Sequence, residues 1–481
     1  MKILKYIMAA AVAGTFTLAG CDDFLDAENK SAGGTTADDF FAGNPASMLT
    51  SAYKSMKSFN NTIHLGDEGT DLYITIRKTT TKYNQYAFDF TDSDIRSYYA
   101  NCYSTINYAN GALHYGVSDA QAQEARVIRA YAYYCLTQHF GAVPYITDYI
   151  NTAERNYPRT PLADVYANLT ADLEDIYNNC QLAAEDHKSG RPSKEAVAAL
   201  LAKIYLAWGW DIDTQLDDAA TGAYTVNEST HFNAAADWAT KAINGKGLTQ
   251  SFAQKWAPET ENEGNPEFVW VINYDANAIE NTLKDDSNGQ GGQYGGYYSD
   301  FVNATSSSED QQSVNSLGLF EQGDERYEGT FMTTFYADAA DAQNSYYVFY
   351  GKSEAELASL PINLKFFPYW VTETEVQDWI NANIGRLANL KAGRKNVVAI
   401  LGNDGNVTTY SCDTDNSLKK DANPSAIESF YKSTDSGIKV RKFDDPDQKQ
   451  NCFRDIVLID LSEIYLVRAE ACLLAGNTTG F

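Results

Sequence analysis

Histidine, methionine, cysteine and proline are scarce here, at 5, 5, 7 and 11 of 481 residues. So little His and Cys argues against dense metal centres and against a disulfide scaffold. Positive charge is also short: 37 Lys and Arg stand against 64 Asp and Glu, for a net charge of −27. A nucleic-acid binder needs a basic face to neutralise phosphates, so that class is disfavoured. Docking on anionic lipid by charge is disfavoured on the same ground. Beyond the first twenty residues no apolar run is long enough to span a bilayer. Apolar side chains are plentiful: at 44% they supply a sizeable core. Tyrosine is abundant, with 33 Tyr against 22 Phe and 7 Trp. The length suits one large domain or two to three ordinary ones.

Residues 1–20 read as an address. Lys2 and Lys5 form a basic start, and an apolar stretch from Ile7 to Leu18 follows. That stretch is shorter than the roughly 20 residues a spanning helix needs, so it reads as a secretory signal peptide. It ends in Leu18-Ala19-Gly20-Cys21, small residues before a Cys, the pattern of a bacterial lipoprotein box. Cys21 is the expected lipidation site and mature N-terminus, with lipid as the anchor. Removing Lys2 and Lys5 takes the net charge to −29. The acidic Asp22, Asp23, Asp26 and Glu28 follow, and residues 21–37 read as the lipidated Cys and a polar tether. The other cysteines, at 102, 135, 180, 412, 452 and 472, form no CxxC and no zinc spacing. Cys135 and Cys472 sit in apolar helical patterns and read as buried thiols. Disulfides are open to an exported chain, but spacing does not pair them.

Residues 38–274 read as a series of helices. Leu162, Val165, Tyr166, Leu169, Leu173 and Ile176 recur at steps of three and four after Thr160-Pro161, a helix start. Val127, Ile128, Tyr131, Tyr134 and Cys135 do the same, until Gly141 and Pro144. A third helix opens at Ser193, with Val197, Leu200, Leu201, Ile204 and Trp208 inward, and a short one spans Ala235 to Ile243. Small residues at 196, 198, 199 and 202 alternate with large ones, as in tetratricopeptide-like helix pairs. Glu267 to Tyr274 reads as a strand. Residues 275–451 are rich in Gly, Ser, Asn, Asp and Tyr and read as loops with short strands, plus one helical stripe from Glu373 to Leu390. Residues 452–481 read as helix again through Ile456, Leu458, Leu461, Ile464, Tyr465 and Leu474. The fold expected is mainly α: a tetratricopeptide-like helical-repeat scaffold with a loop-rich second subdomain carrying short strands.

Several segments resemble the SusD/RagB family of bacterial outer-membrane lipoproteins. They include LAGCDDFLD from Leu18, YSTINYANGAL from Tyr103 and EARVIRAYAYYCLTQHFGAVPYI from Glu124. PRTPLADVYANLTADL from Pro158, GRPSKEAVAALLAKIY from Gly190 and NPEFVWVI from Asn265 follow. GDERY from Gly323, IKVRKF from Ile438 and DIVLIDLSEIYLVRAEACLLA from Asp455 complete the order. The resemblance implies a SusD-like lid on a SusC-like TonB-dependent transporter. It places the protein in the outer membrane, lipid-anchored and facing the exterior. It implies glycan oligomers as ligands, sometimes peptides, and no cofactor. The acidic pair after Cys21 resembles the surface-export signal of these bacteria. Family members normally continue past the RAEA helix, whereas this chain ends at Phe481. An ending there is expected to leave the apolar face of residues 456–475 partly uncovered.

A sugar site needs flat apolar faces for the ring CH groups and polar side chains for the hydroxyls. The Gly-rich stretch 289–298 offers Tyr294, Tyr297 and Tyr298 with Gln290 and Gln293 between them. It is not a phosphate loop, because no Gly-Lys-Ser/Thr follows. A second stretch offers Asp71, Tyr73, Arg77, Tyr83 and Tyr86, with Asn84 among them. His139 fits a structural role at a helix end, and Trp370 and Trp208 fit the core. Arg126 and Arg129 fit ion pairs between helices. No nucleophile elbow, HExxH or triad-like arrangement is present. Asp211-Ile-Asp213 and Asp413-Thr-Asp415 lack the Gly of a calcium loop. Carboxylate pairs of the glycosidase kind arise by chance among 64 acids, so they decide nothing. The expected function is non-catalytic capture of oligosaccharides for uptake. A peptide-binding relative, a surface hydrolase and a pure scaffold are the alternatives.

Overall fold

The structure is a computed structural model. It describes residues 36–480 apart from 63, 76–81, 154–155, 211–228, 258–263, 275–286, 291–309, 337–352, 388–396, 414–416, 435–437, 444 and 446–451. The signal peptide, Cys21 and the tether lie outside the described residues.

The first half is helical: α1 (Ala37–Gly43), α2 (Ala46–Asn60), α3 (His64–Asp67), α4 (Ser93–Tyr115), α5 (Asp119–Phe140), α6 (Leu162–Asn178), α7 (Lys194–Gly209), α8 (Ser229–Ile243) and α9 (Phe252–Lys255). Local chemistry sets their ends. Asp92 caps α4 by accepting from the N–H groups of Asp94 and Ile95, and Gly116 closes it in the left-handed conformation. Ser118 and Gln121 form a reciprocal capping box on α5. The stripe predicted on α6 is buried throughout. In α7 the run from Glu195 to Ala202 is buried on every side. Its alanines let neighbouring helices approach closely while Val197, Leu200 and Leu201 fill the gaps. Arg126 and Arg129 reach from α5 to Asp172 of α6 at 2.6 and 3.0 Å, the inter-helix pairing expected of them.

Two short strands complete this half. β1 is Tyr73–Thr75 and β2 is Phe268–Ile272. Trp270 of β2 is fully buried in the helical core. The remaining strands are β3 (Asp310–Gln312), β4 (Phe331–Met332), β5 (Thr334–Tyr336), β6 (Ile362–Pro368), β7 (Val398–Leu401), β8 (Asn406–Cys412), β9 (Leu418–Lys420), β10 (Ser425–Ala426), β11 (Lys439–Val440) and β12 (Ile456–Asp460).

The stretch read as loops holds more order than expected. Six strands form a mixed sheet in the order β10-β8-β7-β6-β5, with β9 also on β8. β6 and β7 run parallel, and the other pairs are antiparallel. Alternation along the strands serves two cores. Phe366, Ala399 and Leu401 face a cluster with Ile427, Phe430 and Tyr431. Phe367, Val398 and Ile400 face another with Val376 and Ile380 of the helix Glu373–Asn383. A strand covered on both faces reads as a continuous apolar run, which is how Val397–Leu401 looks in sequence. The helix there stops at Asn383 instead of reaching Leu390. Trp370 is half-buried against Tyr327, as expected of a core ring.

The C-terminal segment corrects one expectation. Residues 456–460 form strand β12 instead of the start of a helix, pairing antiparallel with β2 from Ile456↔Ile272 to Asp460↔Phe268. Apolar 456, 458, 461 and 464 suit a helical spacing as well as a strand that ends at Asp460. Asp460 makes the switch by capping the helix Leu461–Leu474 through the Ser462 N–H, 2.8 Å. Leu466 and Leu473 of that helix face solvent. The six described cysteines form no disulfide with one another; Cys472 is buried and Cys135 half-buried.

Candidate functional site

A cleft of about 350 Å3 opens where the end of α5 meets the start of α4. Tyr98 and Ile95 of α4 and His139 and Phe140 of α5 form its floor. The loop from Leu65 to Thr70 forms one wall, and Tyr83, Tyr86 and Phe88 form the other.

The aromatic wall is built from a tight turn. The Tyr86 N–H donates to the Tyr83 carbonyl at 3.0 Å and Ala87 donates to Lys82 at 2.7 Å. Tyr86 sits at φ +52°, unusual for a residue with a large side chain. Its ring is 74% exposed, and its hydroxyl donates to the Gly69 carbonyl at 2.5 Å. A strained, exposed aromatic beside a cleft is the sort of outlier that suggests function. Gly69 holds the other end of the clamp: its N–H donates to Asn84 Oδ1 at 2.6 Å, and its φ is +84°. A Cβ there would lie 2.8 Å from the Tyr83 carbonyl oxygen. Gly69→Ala is therefore expected to force the two loops apart, costing roughly 1–3 kcal/mol of local order. Faster hydrogen exchange at the Tyr86 and Ala87 amides is the readout.

Tyr83 anchors the wall from below. Its hydroxyl donates to Asp92 Oδ1 at 2.8 Å, and its ring packs on Phe88 with centroids 5.7 Å apart. Burial pushes the Tyr83 hydroxyl upward in pKa, and its bond to Asp92 adds to that. Burial opposes ionisation of Asp92. Its bonds from Lys82, the Ile95 N–H, Tyr83 and the Asp94 N–H outweigh it, so the carboxyl titrates far below its usual range. One capping residue thus fixes the first turn of α4 and the aromatic turn together. At the floor, His139 Nδ1 donates to the Cys135 carbonyl at 2.8 Å and contacts the Tyr98 hydroxyl at 3.3 Å. This leaves Nε2 as the ring's second polar atom. The cleft thus offers exposed ring faces beside Glu68, Thr70 and His139. Ring faces cover sugar CH groups, and such polar groups can bind hydroxyls.

The residues expected to bind ligand fare differently. Tyr83 and Tyr86 come together in this cleft. Asp71 and Tyr73 do not line it. Tyr73 pairs with Gln312 across β1 and β3 and packs on the second core, and the Asp71 carbonyl accepts from Ser313 Oγ. Arg77, Gln293, Tyr294, Tyr297 and Tyr298 lie outside the described residues. Gln290, at the start of that Gly-rich stretch, is buried. Phe88, Tyr98 and Phe140 were not singled out in sequence, because nothing local distinguishes them from core aromatics. His139 keeps its structural hydrogen bond while also lining the cleft.

Three potential metal ligands converge elsewhere: Glu185, His187 and Glu195. The Lys246 ammonium already lies 2.9 Å from Glu185 and 2.6 Å from Glu195. That geometry describes an internal ion-pair cluster.

Residues 23–206 match the SusD-like family model described as starch-binding and associating with the outer membrane. SusD-like protein P2 of Formosa agariphila is 26% identical over 243 residues, 45% of each chain, so the match spans less than half of that relative. A SusD superfamily protein from Parabacteroides distasonis superposes with a TM-score of 0.57 at 17% identity, covering 91% of this chain and 77% of the other. A laminarin-binding SusD-like protein gives 0.55 at 17% identity, over 89% and 80% of the two chains. Surface glycan-binding protein A from Bacteroides uniformis gives 0.52 at 17% identity, over 90% and 76%. At these identities the likeness carries the fold: mainly helical, with a small mixed-sheet subdomain. Residues 23–206 thus match the SusD-like family model, and the fold of the chain follows these structures over 89–91% of its length.

Proposed function

We propose that this protein is a surface-exposed, lipid-anchored lipoprotein that binds oligosaccharides and delivers them to a SusC-like TonB-dependent transporter. The observation that carries the reading is the strained, exposed Tyr86 ring beside Phe88 over the cleft floored by Tyr98 and His139. Ring faces bordered by polar groups suit a neutral oligomer better than an ion. The family description and the glycan ligands in the names of two structural relatives point the same way. No residue arrangement in the cleft calls for catalysis, so capture without turnover is the expected behaviour.

A glycan panel tests this. Soluble protein starting at Asp22 is titrated with oligosaccharides by calorimetry, and the same samples are examined for products. Binding without cleavage supports capture. Cleavage supports a hydrolase, and binding only to peptides supports the other branch of the family. The lipid anchor is tested separately. Cys21→Ala is expected to move the protein from the membrane to the soluble fraction; continued membrane retention would refute lipidation at Cys21.

A further inference from the structure

A second cleft, of about 390 Å3, lies between α9, the segment around Lys442 and the junction of β12 with the last helix. Its unusual feature is the Lys442 side chain. The ammonium lies over three ring faces, 4.1 Å from the centroid of Trp256, 5.0 Å from Phe443 and 5.6 Å from Phe252. Among the described residues no carboxylate comes within ion-pair distance of it.

The acids nearby are already engaged. Asp460 pairs with Lys255 at 2.7 Å, and Glu463 pairs with Lys203 at 2.5 Å. Asp455 accepts from the Tyr274 N–H and from the Asn273 amide, both at 2.9 Å. The backbone of Lys442 is fixed as well, since its carbonyl accepts from Arg454 Nη1 at 2.8 Å. Arg454 is itself buried and spans to the Trp256 carbonyl at 3.0 Å. The result is a preorganised cation with no counter-ion among the described residues, beside flat apolar faces, in a cavity of ligand size.

We propose that this cleft is a second ligand site, recognising the carboxylate of an acidic sugar such as a hexuronate. The sugar's CH face lies on Trp256 and its carboxylate meets the Lys442 ammonium. The site is separate from the aromatic cleft over Tyr98 and does not rest on it.

The charge state gives the site a pH signature. Burial lowers Lys442 to about 8. Asp460 raises it, while Lys255 and Arg454 act with burial. Burial also lifts the Asp455 carboxyl to about 6. Between pH 7 and 9 Asp455 and the sugar's carboxylate stay ionised and Lys442 loses its proton, so affinity for an acidic sugar should fall across that window.

Calorimetry with cellobiouronic acid and its neutral counterpart cellobiose is the test. The acidic sugar is expected to bind about tenfold or more tightly at pH 7, the scale of a hydrogen bond to a charged group. Lys442→Met keeps an apolar stem among the rings and should abolish the preference while leaving neutral-glycan binding in the other cleft intact. Lys442→Arg should keep the preference but flatten its fall between pH 7 and 9, because a guanidinium stays charged. Equal binding of the two sugars to wild type overturns the proposal, and so does a preference that survives Lys442→Met. Neither result bears on the aromatic cleft, which the neutral-glycan titration reads independently.

Discussion

Replacing Tyr86 and Phe88 together by alanine should weaken oligosaccharide binding by about a hundredfold. Each ring acts as an apolar platform, and stripping a central aromatic from a binding surface typically costs about 2 kcal/mol. Two partly overlapping losses sum to somewhat less than twice that, and about 1.4 kcal/mol is a factor of ten. The fold should survive. Tyr86 is mostly exposed, and Phe88 packs chiefly on Tyr83 at the edge of the core. Phe90→Ala is the control. That ring is 89% exposed but does not line the cleft, so its loss should leave affinity within about twofold. Calorimetry against the best glycan of the panel, with circular dichroism for folding, decides the matter. Full affinity in a folded double variant would remove the site from this cleft.

The largest stability effect should come from Lys255. Its ammonium is buried, 3.2 Å from Glu267 and 2.7 Å from Asp460. Glu267 also accepts from the Thr249 and Gln250 N–H groups, and its carbonyl accepts from Leu461 N–H. One lysine thereby ties the segment before α9, the start of β2 and the C-terminal helix into one knot. Lys255→Ala leaves the buried Glu267 and the half-buried Asp460 without their cation. Breaking a buried pair this way costs about 3–5 kcal/mol, because the stranded charges keep their desolvation penalty. The first unfolding transition in a denaturant titration should move down accordingly. Combining Lys255→Met with Glu267→Gln and Asp460→Asn should recover part of the loss, since no charge is then stranded. If Lys255→Ala costs under about 1 kcal/mol, the three groups are better solvated than their burial indicates.

The helices around α6 and α7 were legible because their apolar residues repeat at a spacing only a helix presents on one face. Arg126 and Arg129 could be assigned to ion pairs since both sit on such a helix beside its stripe. The strand at 456–460 was misread because residues 456, 458, 461 and 464 satisfy two periods at once. Pairing with β2, nearly two hundred residues earlier, chooses between them. The mixed sheet was hidden for a related reason. Its strands are short, and only their packing between two cores turns scattered apolar runs into layers. Among the ligand candidates, Tyr83 and Tyr86 were recognisable as clustered tyrosines. His139, Phe140 and Tyr98 reach the same cleft only by the crossing of α4 and α5.

By itself the sequence determined the class of the protein: an acidic, tyrosine-rich helical chain with an expected lipid anchor and ordered motifs that resemble the SusD/RagB family. Local rules suffice for that, since periodicity, capping and motif order are written in neighbouring residues. The tertiary structure alone decided which rings stand over a cleft, which lysine has no counter-ion among the described residues and where strands replace helix. Those outcomes depend on desolvation and on contacts between residues far apart in the chain, and neither is encoded at any one position.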